Sequence, residues 1–124
     1  MNRVDQALKD AMAIDGALGV ALVDLESGMA LGTRTTVTTL DPILAAAGHT
    51  DIVRATQQAV TVTGLGTETI EDILISLTAQ YHLIRPLRRS NGSRLFLSLL
   101  LDRTRANLAM ARHHLHRIET GLDV

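Results

Sequence analysis

A chain of 124 residues, 46% hydrophobic and 20% charged, suits one globular domain with a sizeable core and excludes a disordered segment. It has no Cys, which excludes a disulfide framework and a thiol nucleophile and fits a cytoplasmic protein. The net charge is -1 but uneven: residues 1–78 hold 4 Lys/Arg against 10 Asp/Glu, and residues 79–124 hold 8 Arg against 3 Asp/Glu. With one Tyr and one Phe to stack on bases, that asymmetry points to a polar surface or an acidic protein partner and away from nucleic acid.

Met1-Asn2-Arg3-Val4-Asp5 leads into an amphipathic pattern, not the continuous apolar stretch of a signal peptide. Val4, Leu8, Ala11 and Met12 recur at helical spacing, with Asn2 or Asp5 as the cap. Ile14-Asp15-Gly16 closes this short helix, Gly16 supplying the left-handed conformation. Ala17 to Leu25 is predicted as an inner strand. Leu18, Val20 and Leu22 line one face, and the small residues Ala17, Gly19 and Ala21 with Val23 line the other, where a helix can pack closely. Glu26-Ser27-Gly28 is turn chemistry, and Met29 to Thr33 returns as a second strand. Thr33 to Thr39 is either an extension of that strand or a loop.

Asp41-Pro42 combines an N-cap with the residue best suited to a first helical position. The helix is expected to reach Val62, with Gly64 beyond it. Leu44, Ala47, Ile52, Ala55, Ala59 and Val62 fall near one side. Ala45, Ala46 and Ala47 form a smooth patch suited to packing on a sheet or on a second copy of the chain. Glu71 to Leu77 is predicted as a third strand, with Ile73, Ile75 and Leu77 on one face and Asp72, Leu74 and Ser76 on the other. Tyr81 to Leu87 is the fourth. Pro86 lacks an amide hydrogen, which places it at a strand end or on an unpaired side. Arg88 to Ser93 is an expected turn.

Leu95 to Leu101 is the most apolar run. It is too short to span a membrane, which takes about 20 apolar residues. A strand and the start of a buried helix both fit it, and Phe96 and the abrupt stop at Asp102 favour the strand. As a strand it is apolar on both faces, hence central and covered on both sides. A long helix capped by Asp102 or Thr104 follows, with Leu108, Ala111, Leu115, Ile118 and Leu122 as its apolar stripe and Gly121 at its end. The order α-β-β-α-β-β-β-α predicts an α+β fold, an antiparallel sheet with helices on each face.

Chemical signatures are sparse. Gly64-Leu65-Gly66 lacks the rest of a phosphate loop, and a Gly-x-Ser-x-Gly elbow is missing. His113 and His116 stand one helical turn apart without a carboxylate on that face, so a metal is not expected. His49 and His82 are expected as isolated helix-surface and strand residues. Asp15, Asp24 and Glu26 are expected in turns and caps. Asn91-Gly92-Ser93 matches the glycosylation pattern and is expected to be a turn.

Several phrases, in order, resemble the roadblock/dynein-light-chain family, especially its small bacterial members. They are Ile14-Asp15-Gly16-Ala17-Leu18-Gly19-Val20-Ala21-Leu22-Val23-Asp24, Ser27-Gly28-Met29, Ala45-Ala46-Ala47-Gly48, Ile70-Glu71-Asp72-Ile73-Leu74-Ile75, Gln80-Tyr81-His82-Leu83-Ile84-Arg85 and Asp102-Arg103-Thr104-Arg105-Ala106-Asn107-Leu108-Ala109. The resemblance spans nearly the whole chain as a single domain, residues 1–124. It implies a five-stranded antiparallel sheet in the order 2-1-5-4-3, between one central helix and two terminal helices. It also implies a homodimer through the third strand and the central helix. The candidate interface residues are then Leu44, Ala47, Ile52, Ala55 and Ala59 of the helix, and Glu71, Asp72, Ile73, Leu74, Ile75, Ser76 and Leu77 of the strand. The implied role is a non-enzymatic cytoplasmic adaptor that binds or regulates a small Ras-like GTPase or a related signalling protein, without cofactor, metal, nucleic acid or membrane span. The alternative is a regulatory module that senses a small molecule with a profilin- or PAS-like sheet.

Overall fold

The computed structural model describes residues 2–88 and 94–122. Its elements are α1 (Arg3–Met12), β1 (Ala17–Asp24), β2 (Ala30–Thr35), α2 (Pro42–Val62), β3 (Ile73–Ser76), β4 (Gln80–Leu87), β5 (Leu95–Asp102) and α3 (Leu108–Leu122). All strand pairs are antiparallel and the sheet order is β2-β1-β5-β4-β3, as expected. The remainder of the Arg88–Ser93 turn, including Asn91-Gly92-Ser93, lies outside the described residues. Among the described residues no helix is long and apolar enough to cross a membrane.

The central run is a strand, and its alternation builds two cores. Leu97, Leu99 and Leu101 join Val20, Leu22 and Leu83 beneath α1 and α3, whose Ala7, Leu8, Ala11, Ala111, Leu115 and Ile118 close that layer. Phe96 faces the other way, with Ala21, Val23 and Ile84 beneath Ala46 and Val53 of α2. The small-residue face of β1 does what its composition suggests: a Cβ on Gly19 would stand 3.5 Å from the Pro42 ring, so the start of α2 rests on the sheet there.

The turns follow their chemistry. Asn2, not Asp5, caps α1 by accepting from the Asp5 amide at 2.8 Å. Asp41 caps α2, accepting from the Ile43 and Leu44 amides. Asp24 shapes the β1–β2 turn, accepting from the Ser27 hydroxyl at 2.8 Å. β4 is bordered by β3 only as far as Ile84, so Pro86 lies where the ladder on that side has ended.

The start of α3 differs from expectation. Asp102 accepts from the amide and hydroxyl of Thr104, and the Arg105 and Ala106 amides fold back on the Asp102 carbonyl. These bonds hold a turn, so the helix starts only after Asn107, whose side chain accepts from the Met110 amide. Gly121 lies inside the last turn of α3, not beyond it.

Gly16 links the two ends of this layer. Its φ is +86°, its carbonyl accepts from the Asp102 amide, and a Cβ there would meet the Ala106 nitrogen at 3.1 Å. Gly16→Ala therefore combines left-handed strain with a backbone collision. It is expected to lower stability by about 1–2 kcal/mol, read as an earlier urea midpoint at unchanged slope.

Candidate functional site

α2 packs over β2, β1 and β5 through a buried stripe of Pro42, Ala46, His49, Thr50 and Val53. Its other side is open. Leu44 is 71% exposed, Ala47, Ala55 and Ala59 are exposed, and Ile52 is half-buried at the margin. The patch of Ala45 to Ala47 is thereby split, with Ala46 against the sheet and Ala47 in solvent.

Among the described residues β3 is an edge strand paired only with β4, and it is shorter than expected. Asp72 is drawn away to Arg112 of α3 at 2.8 Å, and the Leu77 amide closes the turn onto the Gln80 carbonyl. Ile73 and Ile75 pack with the α2-side core, and Leu74 packs with the opposite one, as the alternation predicts. Glu71, Ser76 and Leu77 are exposed. The Leu77–Gln80 bond also sets the ladder phase. Ile73 and Ile75 turn their backbone groups toward β4, which leaves those of Leu74 and Ser76 facing the open edge. Of the α2 candidates, Ile52 joins Ile73 and Ile75 of β3 at the margin of the α2-side core, while Leu44, Ala47, Ala55 and Ala59 stand exposed.

One constellation was not legible in the sequence. His49 is 5% exposed, not on the helix surface, and its Nδ1 lies 2.6 Å from Ser98 Oγ. Its Nε2 lies 3.1 Å from His82 Nδ1, and His82 Nε2 lies 3.0 Å from Gln80 Oε1. The chain runs Ser98–His49–His82–Gln80, from β5 through α2 to β4. Burial, with His82 alongside, pushes His49 down from 6.5 to about 4, and burial lowers His82 as well. Ser98 and His49 stand at the spacing of a nucleophile and its base, though 49 residues separate them in the chain. Ser98 is only 2% exposed and lies beneath α2, so a substrate cannot reach its Oγ.

The other sites resolve into local structure. His116 Nδ1 stands 3.1 Å from the Arg85 guanidinium, and His113 and His114 pack ring to ring. Among the described residues no three His, Asp or Glu side chains come together as metal ligands. Open grooves of about 450 and 610 Å³ run between α1 and α3 and beside the end of α2. The space between the sheet and α2, where a sensing module would hold its ligand, is filled by Val23, Val53, Ile84 and Phe96.

No family model and no curated protein matches the chain. Solved structures do. The gliding protein MglB from Thermus thermophilus superposes with a TM-score of 0.77 at 20% identity, over 97% of this chain and 85% of that one. An MglB with a tetrameric arrangement gives 0.76 at 20% identity, over the same 97% and 85%. A roadblock/LC7 domain from Streptomyces avermitilis gives 0.70 at 11% identity, over 95% and 92%. Identities this low speak for architecture, and with the 2-1-5-4-3 sheet between one helix and two, the chain has the roadblock/LC7 fold.

Proposed function

We propose that the chain is a non-enzymatic adaptor that works as a homodimer, and that the dimer presents a surface to a small Ras-like GTPase or a related signalling protein. The observation that carries this is the open edge of β3, and the exposed face of α2 supports it. An unpaired edge is an invitation to strand pairing, and a second copy satisfies it with identical geometry about a two-fold axis. The flank offers Leu44, Ala47, Ile52, Ala55 and Ala59, small or apolar residues over which a second helix can pack closely. The fold of MglB, one structure of which has a tetrameric arrangement, supports self-association in the same sense. The GTPase partner rests on the family resemblance and on fold likeness.

Sedimentation velocity at tens of micromolar tests the assembly. The expected species has twice the 13.4 kDa chain mass. Ser76→Pro removes an amide facing the open edge, and Ala55→Arg puts a charge on the flank. Together they are expected to raise the dimer dissociation constant at least about tenfold while the chain keeps a cooperative melt. A monomeric wild type, or a variant that stays dimeric, contradicts the proposed interface. Pull-down against Ras-like GTPases loaded with GDP or a GTP analogue tests the partner separately.

A further inference from the structure

We infer that the Ser98–His49–His82–Gln80 chain is a proton-operated latch, which holds α2 on the sheet at neutral pH and releases it on acidification. The inference does not depend on the dimer, because every bond in the latch lies within one chain.

The hydrogen positions give the mechanism. Gln80 Oε1 can only accept, so His82 Nε2 carries a hydrogen and its Nδ1 accepts. His49 Nε2–H donates to that Nδ1, and the Ser98 hydroxyl donates to His49 Nδ1. Both rings are neutral and each gap holds one hydrogen. A proton added at the half-buried His82 makes its Nδ1 a donor. His49 must then shift its own hydrogen to Nδ1 and donate to Ser98 Oγ, and the Ser98 hydroxyl must turn elsewhere. A second proton leaves two N–H groups facing each other across 3.1 Å.

Among the described residues the added charge also lacks a counter-ion. On α2, Asp41 caps the first turn, Asp51 is exposed, and Arg54 donates to the carbonyls of Leu25 and Glu26. On β4, Arg85 points to the opposite face and Glu119. On β5, Asp102 sits at the strand end with its carboxylate bonded to Thr104. β3 carries no ionisable residue between Ile73 and Ser76, and on β1 Asp24 is tied into its turn by Ser27. A buried imidazolium here is unpaired, and such a charge is costly.

The sign follows from the depressed His49 value. A released or unfolded His takes up protons near 6.5, and the latched one only near 4. The latch is therefore at full strength above about pH 6.5 and weakens as the pH falls toward 4.

Native-state hydrogen exchange at pH 7.5 and 5.0, corrected for intrinsic rates, tests this on the wild type. The opening equilibrium of α2 amides from Ala46 to Val53 is expected to rise roughly tenfold to thirtyfold, with those of Leu115 and Ile118 in α3 little changed. The double variant His49→Gln, His82→Gln replaces both titrating rings with neutral amides and is expected to abolish the pH response. The wild-type His49 ring signal, followed by NMR, should titrate well below 6.5. Equal α2 protection at the two pH values, or a His49 midpoint at 6.5 or above, overturns the inference. So does a folded double variant that keeps the response.

Discussion

Leu99→Asp is expected to yield no folded protein. Leu99 is fully buried at the centre of the sheet, opposite Val20 of β1 and Leu83 of β4, and beneath α1 and α3. Truncating such a Leu costs about 2–5 kcal/mol through lost burial and the cavity left behind. An unpaired carboxylate adds several kcal/mol more, or folds only as the neutral acid. The sum rivals the roughly 5–15 kcal/mol that holds a domain together. The charge cannot escape to an edge, because β5 is bordered by β1 and β4 along nearly its whole length. The expected outcome is inclusion bodies, or a chain without a cooperative melt by far-UV circular dichroism. Leu99→Val, which keeps the site apolar, should stay folded with a loss of about 1–2 kcal/mol. A soluble Leu99→Asp protein with dispersed amide NMR signals contradicts the central position of β5.

Elements whose partners are local or strictly periodic were legible in the sequence. β5 declared both faces through its alternation, α3 declared its buried side through the spacing of Ala111, Leu115, Ile118 and Leu122, and Gly16 and Gly28 marked turns that do take positive φ. α2 was legible in extent but not in orientation. Its sheet-facing stripe contains His49 and Thr50, two polar residues that hide their polarity in bonds to Ser98 and to the Ala46 carbonyl. Hydropathy alone therefore selects the opposite, exposed side with Leu44, Ala47, Ala55 and Ala59. The same inversion concealed the histidine pair. Ser98 sits 49 residues from His49 and His82 sits 33 away, so nothing in the local pattern connects them. A single Ser in a run of Leu was the one clue: a buried hydroxyl needs a partner, and one had to come from the layer above.

Glu119→Ala should be the most damaging substitution at a position that is not hydrophobic. Arg85 lies on β4 between Leu83 and Leu87, on the face covered by α3, where an apolar residue would be the ordinary choice. Its guanidinium donates twice to Glu119 Oε1, at 3.1 and 2.8 Å, and Glu119 Oε2 accepts from the Arg88 amide at 2.6 Å. The two side chains are only 11% and 12% exposed. Removing the carboxylate leaves a nearly buried cation without its ion-pair partner, beside His116 Nδ1. The expected cost is about 3 kcal/mol, or a melting temperature lower by roughly 10 °C, and salt should shield little of it. The Asp72–Arg112 pair offers the contrast, since Arg112 is 43% exposed. Asp72→Asn is expected to cost less than about 1 kcal/mol, and the difference to shrink in high salt. Replacing both partners of the buried pair, Arg85→Met with Glu119→Leu, removes the desolvation burden as well as the attraction. That variant should recover to within about 1 kcal/mol of wild type. Recovery would mean that the pair fixes where α3 sits rather than supplying net stability, because the apolar substitutes keep the packing and lose only the direction. A double variant as unstable as Glu119→Ala would instead make the charges themselves the source of cohesion between β4 and α3.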